Sequence, residues 1–121
     1  MTPAVYAQIS PYLCTLPAGA TTTVNINTAS GPVLESLNAN ITADIASQII
    51  GERGTSGLSD LSRLSSMTNP PIPTTGFGTT SSYFLVTVVA QIGSTHVTLY
   101  SLLYRNGNNE VTAVRRTFGT L

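Results

Sequence analysis

Residues 83–92 read YFLVTVVAQI, and the row Phe84, Val86, Val88, Ala90 and Ile92 is wholly apolar. The alternate row of Tyr83, Leu85, Thr87, Val89 and Gln91 is mixed. A period of two puts each row on its own side of a strand. The stretch is broken by Thr87 and falls far short of the roughly 20 apolar residues a membrane-spanning helix needs. Gly93–Ser94 then supplies a tight turn into THVTLYSLLYR, and the NGN at Asn106–Asn108 supplies another into EVTAVRRTF. Residues 82–121 are therefore expected to form a three-stranded antiparallel meander. Its apolar face has to be buried, either under the chain's own helical zone (its first helix, about Pro3–Leu13) or by self-association.

The first 67 residues carry a different period. Val5, Ile9, Tyr12 and Leu13 recur at helical steps after Pro3, and LPAGA closes that helix with breakers. TTTVNIN, β-branched and alternating, reads as a short strand. The character then switches within VNINTASGPVLESL. Asn27, Thr28 and Ser30 are all helix-starting residues, Pro32 suits a first turn, and Val33, Leu34 and Leu37 share one face. Thr28 is expected to contribute to the cap, with Asn27 and Ser30 as the alternatives. A second helix is expected from Thr42, with Asp44 in its first turn and Ile45, Ala46, Ile49 and Ile50 as its stripe, ended by GERG. Leu58, Leu61 and Leu64 mark a third. The two main helices, joined by NANIT, make a helical hairpin. TNPPIPTTGFGTT, with three Pro and two Gly, is the best candidate for a linker, either mobile or packed as an ordered loop. The chain is accordingly read as α+β: a helical unit of the helix-hairpin-helix (SAM-like) kind at 1–67, a Pro/Gly-rich linker at 68–81 and the sheet at 82–121.

Little in the sequence points to chemistry. The 121 residues suit one domain or two small subdomains, and five basic against five acidic residues, with no Lys, leave no net charge. That balance argues against a broad phosphate-binding surface. His96, the sole histidine, stands beside a turn with no acidic residue or Cys near it on the same face, so an exposed side chain is expected. Glu35, Asp44, Glu52, Asp60 and Glu110 are scattered, and no Gly-x-Ser-x-Gly elbow is present. Glu110 beside NGNN has the oxygen donors of a loop calcium site, but a solvated hairpin end is the better reading. No catalytic, cofactor-binding or metal residue is assigned. Cys14, alone, has no disulfide partner within the chain and is expected to be a small core residue. The alternative of a nucleic-acid-binding helix-hairpin-helix is disfavoured. LNANITADIA lacks the glycine pair that would let phosphate approach, and Asp44 stands where an anion would dock.

The order of motifs resembles the C-terminal part of protein K, the large minor pseudopilin of bacterial type II secretion systems. Asn25, Asn27, Thr28 and Ala29 stand as in that family's Asn-x-Asn-Thr-Ala motif, followed by Val33 and Leu34 as its paired aliphatics. Ala46 and Ile49, Leu58 and Leu61, the Ser-Ser-x-Phe of Ser81, Ser82 and Phe84, and Leu102, Leu103 and Arg105 follow in the family's order. The resemblance covers roughly Pro3 to Phe118. It departs at Asn38-Ala39-Asn40, where the family usually has Pro-Gly. The leader, membrane-embedded helix and first helical subdomain of the family have no counterpart in the sequence, which is expected to be a soluble fragment. The resemblance implies a non-enzymatic role, with a pilin-type sheet. Protein K caps the pseudopilus tip, bound to minor pseudopilins I and J, in the periplasm and anchored in the inner membrane. Some members bind calcium, though no residue here is matched to those ligands. No nucleic-acid partner is expected, and membrane contact is expected only through the missing N-terminal helix.

Overall fold

A computed structural model describes residues 1–20 and 22–119. Residues 1–80 form one compact unit and residues 81–121 a second. The chain is α+β, with four helices and five strands among the described residues.

In the first unit α1 spans Pro3–Ile9 and runs into a 3₁₀ turn at Ser10–Tyr12. The Thr2 hydroxyl accepts from the Val5 N–H at its start, and Pro3 stands in its first turn. No residue of α1 is buried, and Val5, Tyr6, Tyr12 and Leu13 are all exposed. Its apolar spacing thus reflects no core contact, and Cys14 is likewise exposed rather than in the core.

The core is built by the residues that follow. The strand expected across TTTVNIN is only β1, Val24–Asn25, and Thr21 lies outside the described residues. β1 pairs in parallel with β2, Phe77–Gly78, through Val24 N–H to the Gly76 carbonyl (2.8 Å) and Ile26 N–H to the Gly78 carbonyl (2.9 Å). Gly78 allows that approach, since a Cβ there would run into the Thr23 side chain. Helices α2 (Gly31–Leu37), α3 (Ala43–Arg53) and α4 (Ser62–Ser66) follow. Ile26, Leu34, Ile49, Leu64 and Ile72 are fully buried, with Ala29, Ile41, Ala46 and Phe77 completing the core. Each large aliphatic side chain so buried is worth about 1.5–3 kcal/mol relative to exposure. Of the two readings offered for the Pro/Gly-rich segment at 68–81, mobile linker or packed loop, residues 68–80 take the second and close this unit. Their Pro and Gly exclude helix, but Ile72 and Phe77 drop into the core and β2 supplies the partner for β1.

The helix starts divide. Thr42 caps α3, its hydroxyl accepting from Ile45 N–H (3.4 Å), with Asp44 in the first turn as expected. The α2 cap is corrected: Ser30 holds the N-cap position and makes no side-chain cap bond. Thr28 is spent earlier, in a turn on Asn25. Its hydroxyl lies 3.5 Å from the Asn25 carbonyl, which also accepts the N–H groups of Thr28 and Ala29. Pro32 lacks an N–H, so one group that a cap would serve is absent from the start. The third helix is shorter than its leucines suggest, because Leu58 and Leu61 pack against the core from the loop before α4. At its start the Ser62 hydroxyl and then the Ser62 N–H donate to Asp60, holding that carboxyl below the ordinary Asp value.

The side chain of Asn27 joins three segments. Its Nδ2 donates to the carbonyls of Leu58 and Thr79, both at 3.0 Å, while its Oδ1 accepts from Leu58 N–H at 2.7 Å. Gly57 lies beneath it with φ +76°, and a Cβ there would meet the Asn27 amide at about 3.2 Å. Beside it the Arg53 guanidinium, from the last turn of α3, donates to the carbonyls of Ile26 (2.7 Å) and Ala29 (2.6 Å).

In the second unit β3 (Tyr83–Ile92), β4 (Thr95–Arg105) and β5 (Val111–Phe118) form an antiparallel meander in the order β3-β4-β5, as the alternation predicts. Gly93, at φ +60°, makes the first turn. In the second, Asn106 Oδ1 accepts from the N–H groups of Asn108 and Glu110. Residues 120 and 121 of the expected sheet lie outside the described residues.

Two outcomes follow for the first unit. Asn27→Ala removes three bonds from partly buried groups, so urea denaturation should show a loss of about 1–3 kcal/mol with unchanged slope. An unchanged midpoint would mean that water replaces the amide without loss. Asp60, its folded value depressed, stabilises fully above the ordinary value of 3.8 and loses that contribution as pH falls through the folded value. NMR titration should place its midpoint below 3.8, and Ser62→Ala should raise it.

Candidate interaction surface

Register fixes which side chains share a face of the sheet. Phe84, Val86, Val88, Ala90 and Ile92 stand opposite Leu103, Ser101, Leu99, Val97 and Thr95. Directly opposed residues project to the same side. The row continues onto β5 through Ala113, Arg116 and Phe118, opposite Leu103, Ser101 and Leu99. The apolar row read from the sequence is thus one row of a broader, mostly apolar surface that also carries Arg116 on β5.

That surface is open. Phe84 is 39%, Val86 37%, Val88 48% and Ile92 79% exposed, and Val97 and Phe118 are exposed as well. Apolar side chains left in water on this scale mark an association site more often than a solvated surface. At one end the Arg105 guanidinium lies 5.4 Å from the centre of the Phe84 ring, a cation–π contact that leaves the charge at the rim. In the middle, Ser101 is buried and its Oγ is the one buried side-chain polar atom among the described residues without a hydrogen-bond partner. The opposite face is the mixed one. Tyr83 packs on Tyr104 with ring centres 4.9 Å apart, Thr87 faces Tyr100 and Gln91 faces His96.

β5 is irregular where β3 is not. Leu102 pairs with Arg115 but Leu103 with Ala113, so Val114 is an extra, bulged residue. β3 keeps its register with β4 from Tyr83 to Ile92.

The residues weighed for chemistry stay apart. His96 is exposed at the Gly93–Ser94 end of the sheet. The Glu110 carboxylate accepts from Asn106 Nδ2 at 2.7 Å through one of its two oxygens. Asp44 is exposed in the first turn of α3. Glu52 meets Arg63 at 3.0 Å in a solvent-exposed pair that contributes at most about 1 kcal/mol. Among the described residues no three His, Cys, Asp or Glu gather as metal ligands, and no helix is long and apolar enough to cross a membrane. Sequence reasoning missed Arg53 and the role of Asn27. The Asn-x-Asn spacing was the available signal, since Asn in a tight turn commonly bonds to backbone.

The chain thus joins, in sequence, a compact unit of short helices to an antiparallel sheet with an exposed apolar face. Residues 24–83 match the family described as Type II secretion system (T2SS), protein K. Type II secretion system protein K of Aeromonas hydrophila is 27% identical over 124 residues, covering 95% of this chain and 37% of that protein. These two matches support a protein of the protein K type. It spans little more than a third of that relative's length. No solved structure matches it.

Ser101 provides a local test of the sheet. Because its hydroxyl is buried without a partner, Ser101→Ala removes a polar group that gains nothing from burial. Thermal or urea unfolding should show the variant unchanged or more stable by up to about 1 kcal/mol. A loss above about 1 kcal/mol would reveal a bond made by that hydroxyl.

Proposed function

We propose that this chain is part of a non-enzymatic minor pseudopilin that caps the pseudopilus tip of a type II secretion system. In this reading it binds minor pseudopilins I and J on the periplasmic face of the inner membrane, held there by a segment outside the residues described.

One observation carries the reading. The family match runs over residues 24–83, and every residue of the first unit's buried core, from Ile26 to Phe77, falls inside that span. The matched stretch is therefore the part whose packing decides the fold. The Asn-x-Asn-Thr-Ala motif opens that stretch, and there Asn27 and the carbonyls of Ile26 and Ala29 are bonded to the later segments at Arg53, Leu58 and Thr79. Such a unit positions surfaces rather than reacting groups. The open apolar face of the sheet adds the kind of surface that assembly uses.

The test is reconstitution. The chain, co-expressed with the periplasmic parts of pseudopilins I and J from the same secretion system, should co-elute with them as one complex of fixed stoichiometry. Phe84→Asp, which puts a charge into the apolar face, should weaken that complex at least about tenfold if the sheet contributes. Separate elution of the wild-type chain would overturn the tip-capping reading.

A further inference from the structure

Among the described residues, no strand lies beside one side of the β3 backbone. Arg105 N–H donates to the Ser82 carbonyl at 2.8 Å, which fixes the phase of the ladder. In an antiparallel pair the residues that exchange backbone bonds alternate, so Phe84, Val86, Val88, Ala90 and Ile92 bond to β4. Tyr83, Leu85, Thr87, Val89 and Gln91 then direct their N–H and C=O groups to the other side, where the sheet order places no strand.

The two edges of this sheet differ in how they are guarded. β5 carries the bulge at Val114 and the charges of Arg115 and Arg116. Bulges and charges are the usual devices that stop an edge from pairing. β3 has neither, nor a proline, over ten residues in unbroken register. A long, regular, uncharged edge is a template for another strand.

We infer that β3 pairs with β3 of a second copy of this chain, antiparallel about a two-fold axis at Thr87. The sequence of β3 favours a copy of itself. Self-pairing at that centre sets Tyr83 opposite Gln91, Leu85 opposite Val89 and Thr87 opposite Thr87, all bonded pairs of the outward-facing residues. No charge meets a like charge, and Thr opposite Thr is a favourable cross-strand pair. The same operation at the β5 edge would bring the arginines of two copies together. Across the β3 junction the apolar row of one copy continues into that of the other, because a two-fold axis normal to the sheet keeps each face on its own side. The product is a six-stranded sheet with an apolar face twice as wide. This inference is independent of the proposed role: reconstitution with other pseudopilins neither requires nor excludes it.

The experiment is amide hydrogen exchange by NMR on the chain, at protein concentrations spanning its self-association, with light scattering on the same samples. Dimer should form as concentration rises, and the amides of Leu85, Thr87, Val89 and Gln91 should slow with it. Amides along the β5 edge should not change. Thr87→Lys places like charges across the two-fold axis at an exposed position, and should weaken dimerisation at least about tenfold while leaving the monomer's sheet intact. Thr87→Pro removes an outward N–H that takes no part in the β3–β4 ladder, and should do the same. A chain that stays monomeric throughout would overturn the inference. So would a dimer in which those four amides exchange as fast as in the monomer, or one indifferent to Thr87→Lys.

Discussion

The first unit depends on one side chain meeting two loops. Asn27 gives its amide to the carbonyls of Leu58 and Thr79 and takes the N–H of Leu58. Loops have no ladder of their own, so their buried backbone groups must find partners elsewhere. Without Asn27, the stretch before α4 and the end of the Pro-rich segment would each be left with unpaired backbone groups beside a packed core. Arg53 serves the junction in the same way, bonding the carbonyls of Ile26 and Ala29 from the end of α3. Both are polar side chains used as backbone substitutes, and they hold in place what short helices and two-residue strands cannot.

This explains what was legible in the sequence. The second unit rests on local rules: period-two alternation, a Gly at the first turn and an Asn-rich second one. Its three strands are where those rules place them. In the first unit, α3 was legible from its cap and stripe. The rest turned on contacts distant in sequence. Pro and Gly density in 68–80 correctly excludes regular helix, but composition could not show that Ile72 and Phe77 enter the core or that Gly76 and Gly78 pair with β1. Thr28 has the chemistry of a cap, yet the turn on Asn25 comes first and leaves Ser30 at the helix start. Helical spacing in α1 promised burial that does not occur, because a period reports which residues share a face and not whether anything covers it.

The surface was half legible. Alternation gave the apolar row of β3, and register widened it across β4 and β5. Alternation does not say whether a face is covered, and the side chains of this one are exposed. The two units thus differ in what they bury. One is a small core whose family match covers all its buried residues, and the other a sheet whose apolar side chains meet water.

The central claim is that the Asn27 bonds make residues 24–80 a single cooperative unit, loops included. Native-state hydrogen exchange at the Leu58 amide tests it most directly, because that N–H has Asn27 Oδ1 as its partner. Leu58 should open with the same free energy as the amides of Ile26 and Leu34, which bond within the body of the unit. Exchange at Leu58 faster by orders of magnitude than at Ile26 and Leu34 would show that the loop opens by itself, and would contradict the account.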